Sequence, residues 1–148
     1  MPTNTVRLHR VLKTTPEKLY RAFSEADAYA RWLPPFGFTA NVKSLDFKVG
    51  GTYAMSFTNF STGHGHSFGG TYLELVPNER IRYSNRFDDP NLPGEMQTTI
   101  TMKAVSCGAE LTVEQEGIPS MIPVEACYLG WQESLVQLAN LVEPVIPG

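Results

Sequence analysis

From about Ala40 to Gln115 the apolar residues recur at every second position, and from Val124 to Val142 at every third or fourth. That change of period confines the chain to a run of strands followed by one long helix. Tyr53, Met55 and Phe57 alternate with Thr52, Ser56 and Thr58, and Ile81, Tyr83 and Phe87 alternate with Arg80, Arg82 and Arg86. Met96, Thr98, Ile100 and Met102 form a further series, and Leu111 and Val113 another. Turn signals separate them at Gly50-Gly51, Gly63 to Gly70, Pro77-Asn78, Asp89-Pro90-Asn91 and Cys107-Gly108. Strands joined so briefly are expected to be antiparallel neighbours. On the last helix Val124, Tyr128, Trp131, Leu135, Leu138 and Val142 make one stripe. Glu125, Gln132, Glu133, Gln137 and Asn140 fall on the opposite, solvent side, and Pro144 ends the helix.

Ahead of the sheet, Val6, Leu8 and Leu12 share one parity of a strand from about Thr5 to Thr14. Thr15-Pro16-Glu17 then starts a helix: a threonine to cap, a proline for the first position, an acid for the positive end of the dipole. Leu19, Ala22, Phe23 and Ala26 follow at helical spacing, and a second short helix from Asp27 to Trp32 ends at Pro34-Pro35. The pattern predicts one α+β domain over residues 1–148, a curved antiparallel sheet wrapped around the long C-terminal helix, with two short helices after the first strand. A curved sheet gripping one helix either leaves space between them for a small molecule or closes over a dry core.

The formal net charge is −3 with both signs mixed along the chain. No basic run offers a footprint for nucleic acid or an anionic membrane, so neither is an expected partner. Cys107 and Cys127 lack the spacing of a zinc knuckle or redox pair and read as free thiols. The first residues carry no apolar signal core, and no uncharged stretch is long enough to cross a bilayer. A cytoplasmic protein is the expectation.

His64-Gly65-His66 can present two imidazoles on one side of a strand, the beginning of a zinc or iron site. A third ligand would have to come from Glu74, Asp88 or Asp89, so no metal and no cofactor is assigned. His66, or after it His64, is the candidate general base or hydrogen-bond donor at a cavity mouth. Arg80, Arg82 and Arg86 share a parity with Ser84 and Asp88, which reads as a solvated sheet face before an acidic-partner site. Glu110, Glu114 and Glu116 read likewise. Gly50-Gly51 and Gly69-Gly70 match no phosphate-binding loop and read as turns or bulges. The residues expected to face a ligand are Trp32, Tyr53, Phe57, His66 and Tyr72, together with Tyr83, Phe87, Met96, Tyr128 and Trp131. Large aromatic and sulfur-bearing side chains are mostly core, and a subset of these lines any cavity the core leaves.

Five segments in order carry a resemblance: Thr15-Pro16-Glu17-Lys18-Leu19-Tyr20-Arg21-Ala22-Phe23, Trp32, Val49-Gly50-Gly51-Thr52-Tyr53, Phe68-Gly69-Gly70-Thr71-Tyr72 running on to Ile81, and Gly130-Trp131. Together they resemble the family similar to the C-terminal domain of the Hsp90 ATPase activator (AHSA1-like), within the START-like or SRPBCC superfamily. The resemblance implies a helix-grip fold. It also implies binding of lipids, hormones or polyketides, with ring chemistry in a few relatives. The eukaryotic activator works on its chaperone through a separate N-terminal domain, so chaperone activation is not carried over.

Three readings of function follow. The first is a binding protein for a small hydrophobic or aromatic molecule, without catalysis. The second is a cavity enzyme of cyclase, hydratase or hydrolase type using His66 or His64. The third is a protein–protein or chaperone-associated module, with a second copy of the chain as one partner.

Overall fold

The computed structural model describes residues 4–148. The elements are β1 (Asn4–Leu12), α1 (Pro16–Ser24), α2 (Ala26–Trp32), β2 (Phe38–Leu45), β3 (Thr52–Asn59), β4 (Gly65–Val76), β5 (Arg80–Phe87), β6 (Met96–Val105), β7 (Gly108–Ile118) and α3 (Val124–Val142). The seven strands form one antiparallel sheet in the order β1-β7-β6-β5-β4-β3-β2. From β2 onward each strand pairs with the next in sequence, and β1 adds to β7. The sheet edges β1 and β2 are therefore consecutive in the chain, with α1 and α2 carrying the connection between them. This is the α+β helix-grip arrangement that the change of period predicts.

Local chemistry accounts for the elements. In β1, Val6, Leu8 and Leu12 are buried while Arg7 and His9 point outward. Thr15 Oγ1 accepts from the Lys18 N–H at 3.2 Å and caps α1, with Pro16 in the first turn. Leu19, Ala22 and Phe23 form the buried face of α1.

The outward face carries ion pairs. Arg7 pairs with Glu114 directly across the β1–β7 ladder, His9 with Glu110 at 2.9 Å, and Arg80 with Glu74 at 3.2 Å. Ser84, expected on that solvated face, is instead only 5% exposed, and its Oγ accepts from the Thr71 N–H at 3.1 Å. The cause is Gly70. A Cβ there would sit 1.7 Å from the Ser84 carbonyl oxygen, so β4 and β5 touch backbone to backbone at this point. A register shift between Tyr72 and Glu74 follows on the same strand. A bare backbone contact beside a bulge is how a sheet bends sharply.

The helix α3 buries Trp131, Leu135, Leu138 and Val142 as expected, and Ser134 with them. Its expected solvent side is not wholly free, and the reason lies at the end of α2. The last carbonyls of a helix need donors that the following residues normally supply. Here the Leu33 N–H serves the Tyr29 carbonyl, but the next two residues are Pro34 and Pro35, which have no N–H. Three α3 side chains satisfy the segment instead. Gln137 Nε2 donates to the carbonyls of Trp32, at 3.0 Å, and Pro34. Ser134 Oγ donates to the Leu33 carbonyl at 2.5 Å. Glu133 accepts from the Phe36 N–H at 3.1 Å.

Trp32 is fully buried, its indole N–H donates to the Ala22 carbonyl at 2.8 Å, and it meets Phe23 and Tyr29 edge-on at 4.8 and 5.5 Å. Next to it, Tyr53, Tyr72 and Tyr83 pack ring to ring at 5.6–6.1 Å. Tyr29 donates from α2 to the Tyr83 hydroxyl at 3.4 Å. Burial raises the pKa of all four phenols above the ordinary value.

Two outcomes are expected. Gln137→Met, similar in length but without a donor, lowers stability in chemical denaturation by about 1–3 kcal/mol, the cost of unpaired carbonyls. The same change at exposed Gln132 costs under about 0.5 kcal/mol. In alkali the unfolded chain loses its phenolic protons first, so stability is intact below about pH 10 and falls as pH rises beyond it. Tyr29, Tyr53, Tyr72 and Tyr83 are then expected to give tyrosinate absorbance only in the step that abolishes circular dichroism. Their ionisation within a folded protein would contradict this packing.

Candidate functional site

Between the inner face of the sheet and α3 lies a cavity of about 380 Å³. That volume is in the range of small-molecule sites, roughly 300–1,000 Å³. The alternating parity of the strands builds its floor. Tyr53 and Phe57 come from β3, His66 and Phe68 from β4, Tyr83, Asn85 and Phe87 from β5, Met96 from β6 and Gln115 from β7. Register places them side by side: Phe57 opposite His66, Phe68 opposite Phe87, Asn85 opposite Met96. Tyr29 and Leu33 at the end of α2 and Pro35 and Phe38 beyond it form one wall. The roof is Ile122 and the α3 residues Ala126, Cys127, Gly130, Trp131 and Ser134.

Of these, His66 and Ala126 are exposed, and they mark the mouth. Phe57, Phe87, Phe68 and Phe38 surround the imidazole of His66 at ring-centroid distances of 5.8, 5.9, 6.2 and 6.5 Å. Burial on that side lowers its pKa below the ordinary histidine value, so the ring is neutral at pH 7. Cys127 is half-buried, and the same effect raises its thiol pKa, which leaves it a protonated, weakly reactive group.

The deep end is polar. Trp131 Nε1–H donates to Gln115 Oε1 at 3.1 Å, Gln115 Nε2 donates to Thr98 Oγ1 at 3.2 Å, and Thr98 Oγ1 donates to Asn85 Oδ1 at 3.3 Å. Tyr83, Thr98 and Gln115 stand directly opposite one another on three successive strands. The sheet thus offers an apolar bowl with one band of hydrogen-bonding groups across its base.

Among the residues expected to face a ligand, Tyr53, Phe57 and His66 line this cavity. So do Tyr83, Phe87, Met96 and Trp131. Trp32 and Tyr72 lie in the core beside it, with Tyr72 edge-on to Phe47 at 4.9 Å. Tyr128 is placed at the β1 edge, where its hydroxyl accepts from the Arg7 N–H at 3.4 Å. The two histidines are not presented together. β4 begins at Gly65, and His64 sits in the preceding turn, exposed, its N–H donating to Thr62 Oγ1 at 3.1 Å. Among the described residues no three His, Cys, Asp or Glu side chains are disposed around a common metal position.

The pattern reading did not single out Asn85 or Gln115 as facing a ligand. Their signal was present: each is a polar residue on the apolar parity of its strand, with Ile81 and Tyr83 or Leu111 and Val113. Ser134 and Tyr29 gave no such signal.

No helix among the described residues is long and apolar enough to cross a membrane. The model of the family described as activator of Hsp90 ATPase homolog 1-like protein matches residues 13–143. A crystal structure of a Chromobacterium violaceum protein is 61% identical, with a TM-score of 0.95 over 96% of this chain and 99% of that one. A Rhizobium loti protein is 24% identical with a TM-score of 0.78, covering 93% of this chain and 96% of its own. An AHSA1 protein of Silicibacter pomeroyi is 21% identical with a TM-score of 0.80, again over 93% and 96%. The last two share the fold. No curated protein matches the chain. With the matched span running from the end of β1 to the residue after α3, the chain belongs to the activator of Hsp90 ATPase homolog 1-like family.

Proposed function

We propose that the protein binds a small apolar or aromatic molecule between α3 and the sheet. The observation that carries the reading is the aromatic-lined cavity of about 380 Å³. A core of this size ordinarily packs to the density of an organic crystal and leaves few voids larger than a water molecule. Apolar walls hold water poorly, so a flat apolar molecule is the occupant that gains most there. The phenylalanines at the mouth offer edges and faces for stacking against it.

A second reading is favoured by one observation, the placement of the His66 imidazole at the mouth, where burial favours its neutral form. A neutral histidine beside a bound molecule can take a proton from it. Burial is the cause of its pKa shift, and among the described residues no carboxylate acts on the ring to orient it. Binding is therefore the reading the site supports best.

The binding reading is tested by thermal unfolding with naphthalene-sized aromatic compounds, alongside native mass spectrometry of the purified protein. Stabilisation is expected to grow with ligand concentration, reaching about 2.7 kcal/mol at a hundred times the Kd. Cys127→Phe, which fills the cavity from α3, is expected to keep the fold and remove that response. If the space were packed core, the same substitution would cost about 1–3 kcal/mol by overpacking. A bare mass with no stabilisation by any compound would overturn the reading.

A further inference from the structure

Resting on that binding reading, we propose that the cavity selects neutral molecules carrying a carbonyl-type hydrogen-bond acceptor at their inner end, and that Asn85 Nδ2 is the donor that meets it. The argument starts at the indole of Trp131, which is a donor and never an acceptor. Its 3.1 Å contact therefore fixes Gln115 with Oε1 toward the indole and Nε2 toward Thr98. Thr98 Oγ1 has one proton. It is placed to donate that proton to Asn85 Oδ1 at 3.3 Å. In this arrangement the amide of Asn85 has its oxygen engaged and its Nδ2 free.

No protein group among the described residues accepts from Nδ2, and Asn85 is 8% exposed on the cavity wall, between Tyr83 and Phe87 on its own strand and opposite Met96. A ligand that covers this donor without offering an acceptor leaves it unpaired among apolar side chains, which is costly, and an acceptor removes that cost. A ligand presenting only N–H donors would leave it unpaired. A carboxylate is disfavoured as well, because among the described residues no Lys or Arg lines the cavity to offset its charge. What fits is an apolar or aromatic ketone, aldehyde, ester or quinone with its carbonyl directed at the base of the bowl.

The test uses 2-acetonaphthone and 2-isopropenylnaphthalene, which differ in replacing C=O by C=CH₂, with the intact protein and with Asn85→Leu. Wild type is expected to favour the ketone over the hydrocarbon about tenfold more than Asn85→Leu does, the worth of one hydrogen bond. The infrared carbonyl stretch of wild-type-bound acetonaphthone is expected to lie below its value in hexane, as for a hydrogen-bonded ketone. If Asn85→Leu does not fold, a stretch at the hexane value still overturns the proposal. An affinity ratio unaltered by the substitution, or a stretch at the hexane value, overturns the role of Asn85 while the binding reading stands. Failure of both molecules to bind overturns the two together.

Discussion

Two prolines with no N–H to give set the position of everything around the cavity. Because Pro34 and Pro35 cannot satisfy the carbonyls at the end of α2, the segment depends on Gln137, Ser134 and Glu133 of α3. A side-chain amide carries two N–H donors and so serves two carbonyls at once. The result is a fixed distance between α2 and α3 that apolar packing alone would not specify, since burial is non-directional. With α2 held at that distance, Tyr29 and Leu33 become a wall and Trp131 a roof, and the space between α3 and the sheet stays open.

The sheet contributes the complementary half. Gly70 lets β4 lie against the Ser84 backbone, and the bulge after Tyr72 adds to the bend. The bent face gathers side chains from five strands around one volume. Its polar band, Asn85, Thr98 and Gln115, would be destabilising in a dry core without partners. Linked to one another and to the Trp131 indole, these groups are satisfied except where they face the cavity. The same hydrogen bonds thus stabilise the fold and define the inner end of the site.

Much of this was legible in the sequence. Periodicity and turn signals located the three helices and β1, β3, β5, β6 and β7, and strand parity set Phe57, Tyr83 and Phe87 apart from their polar neighbours. β2 was not singled out, and Gly63 to Gly70, read as a turn, runs into β4 from Gly65. What parity does not contain is depth. Trp32 and Tyr72 share the character of Trp131 and Tyr53, yet the path of α1 and α2 covers the first two and not the others. His64 and His66 share a parity that means nothing for His64, because the strand starts between them. Gln137 looked solvent-facing, since periodicity weighs apolar residues and is blind to a polar residue whose partners are backbone carbonyls a hundred residues away. Asn85 and Gln115 appeared as breaks in a pattern, and only the register of neighbouring strands joins them into a band.

The central claim is that a persistent apolar void lies between α3 and the sheet, and methyl NMR under xenon pressure tests it most directly. Xenon enters dry apolar cavities and is excluded from well-packed core. The account expects xenon to move the methyl signals of Leu33, Met96 and Ile122, which line the cavity, and to leave fully buried Ile100, Val113 and Leu138 where they are. Unmoved signals at all six positions would mean that the interior is closed, and the account would fail.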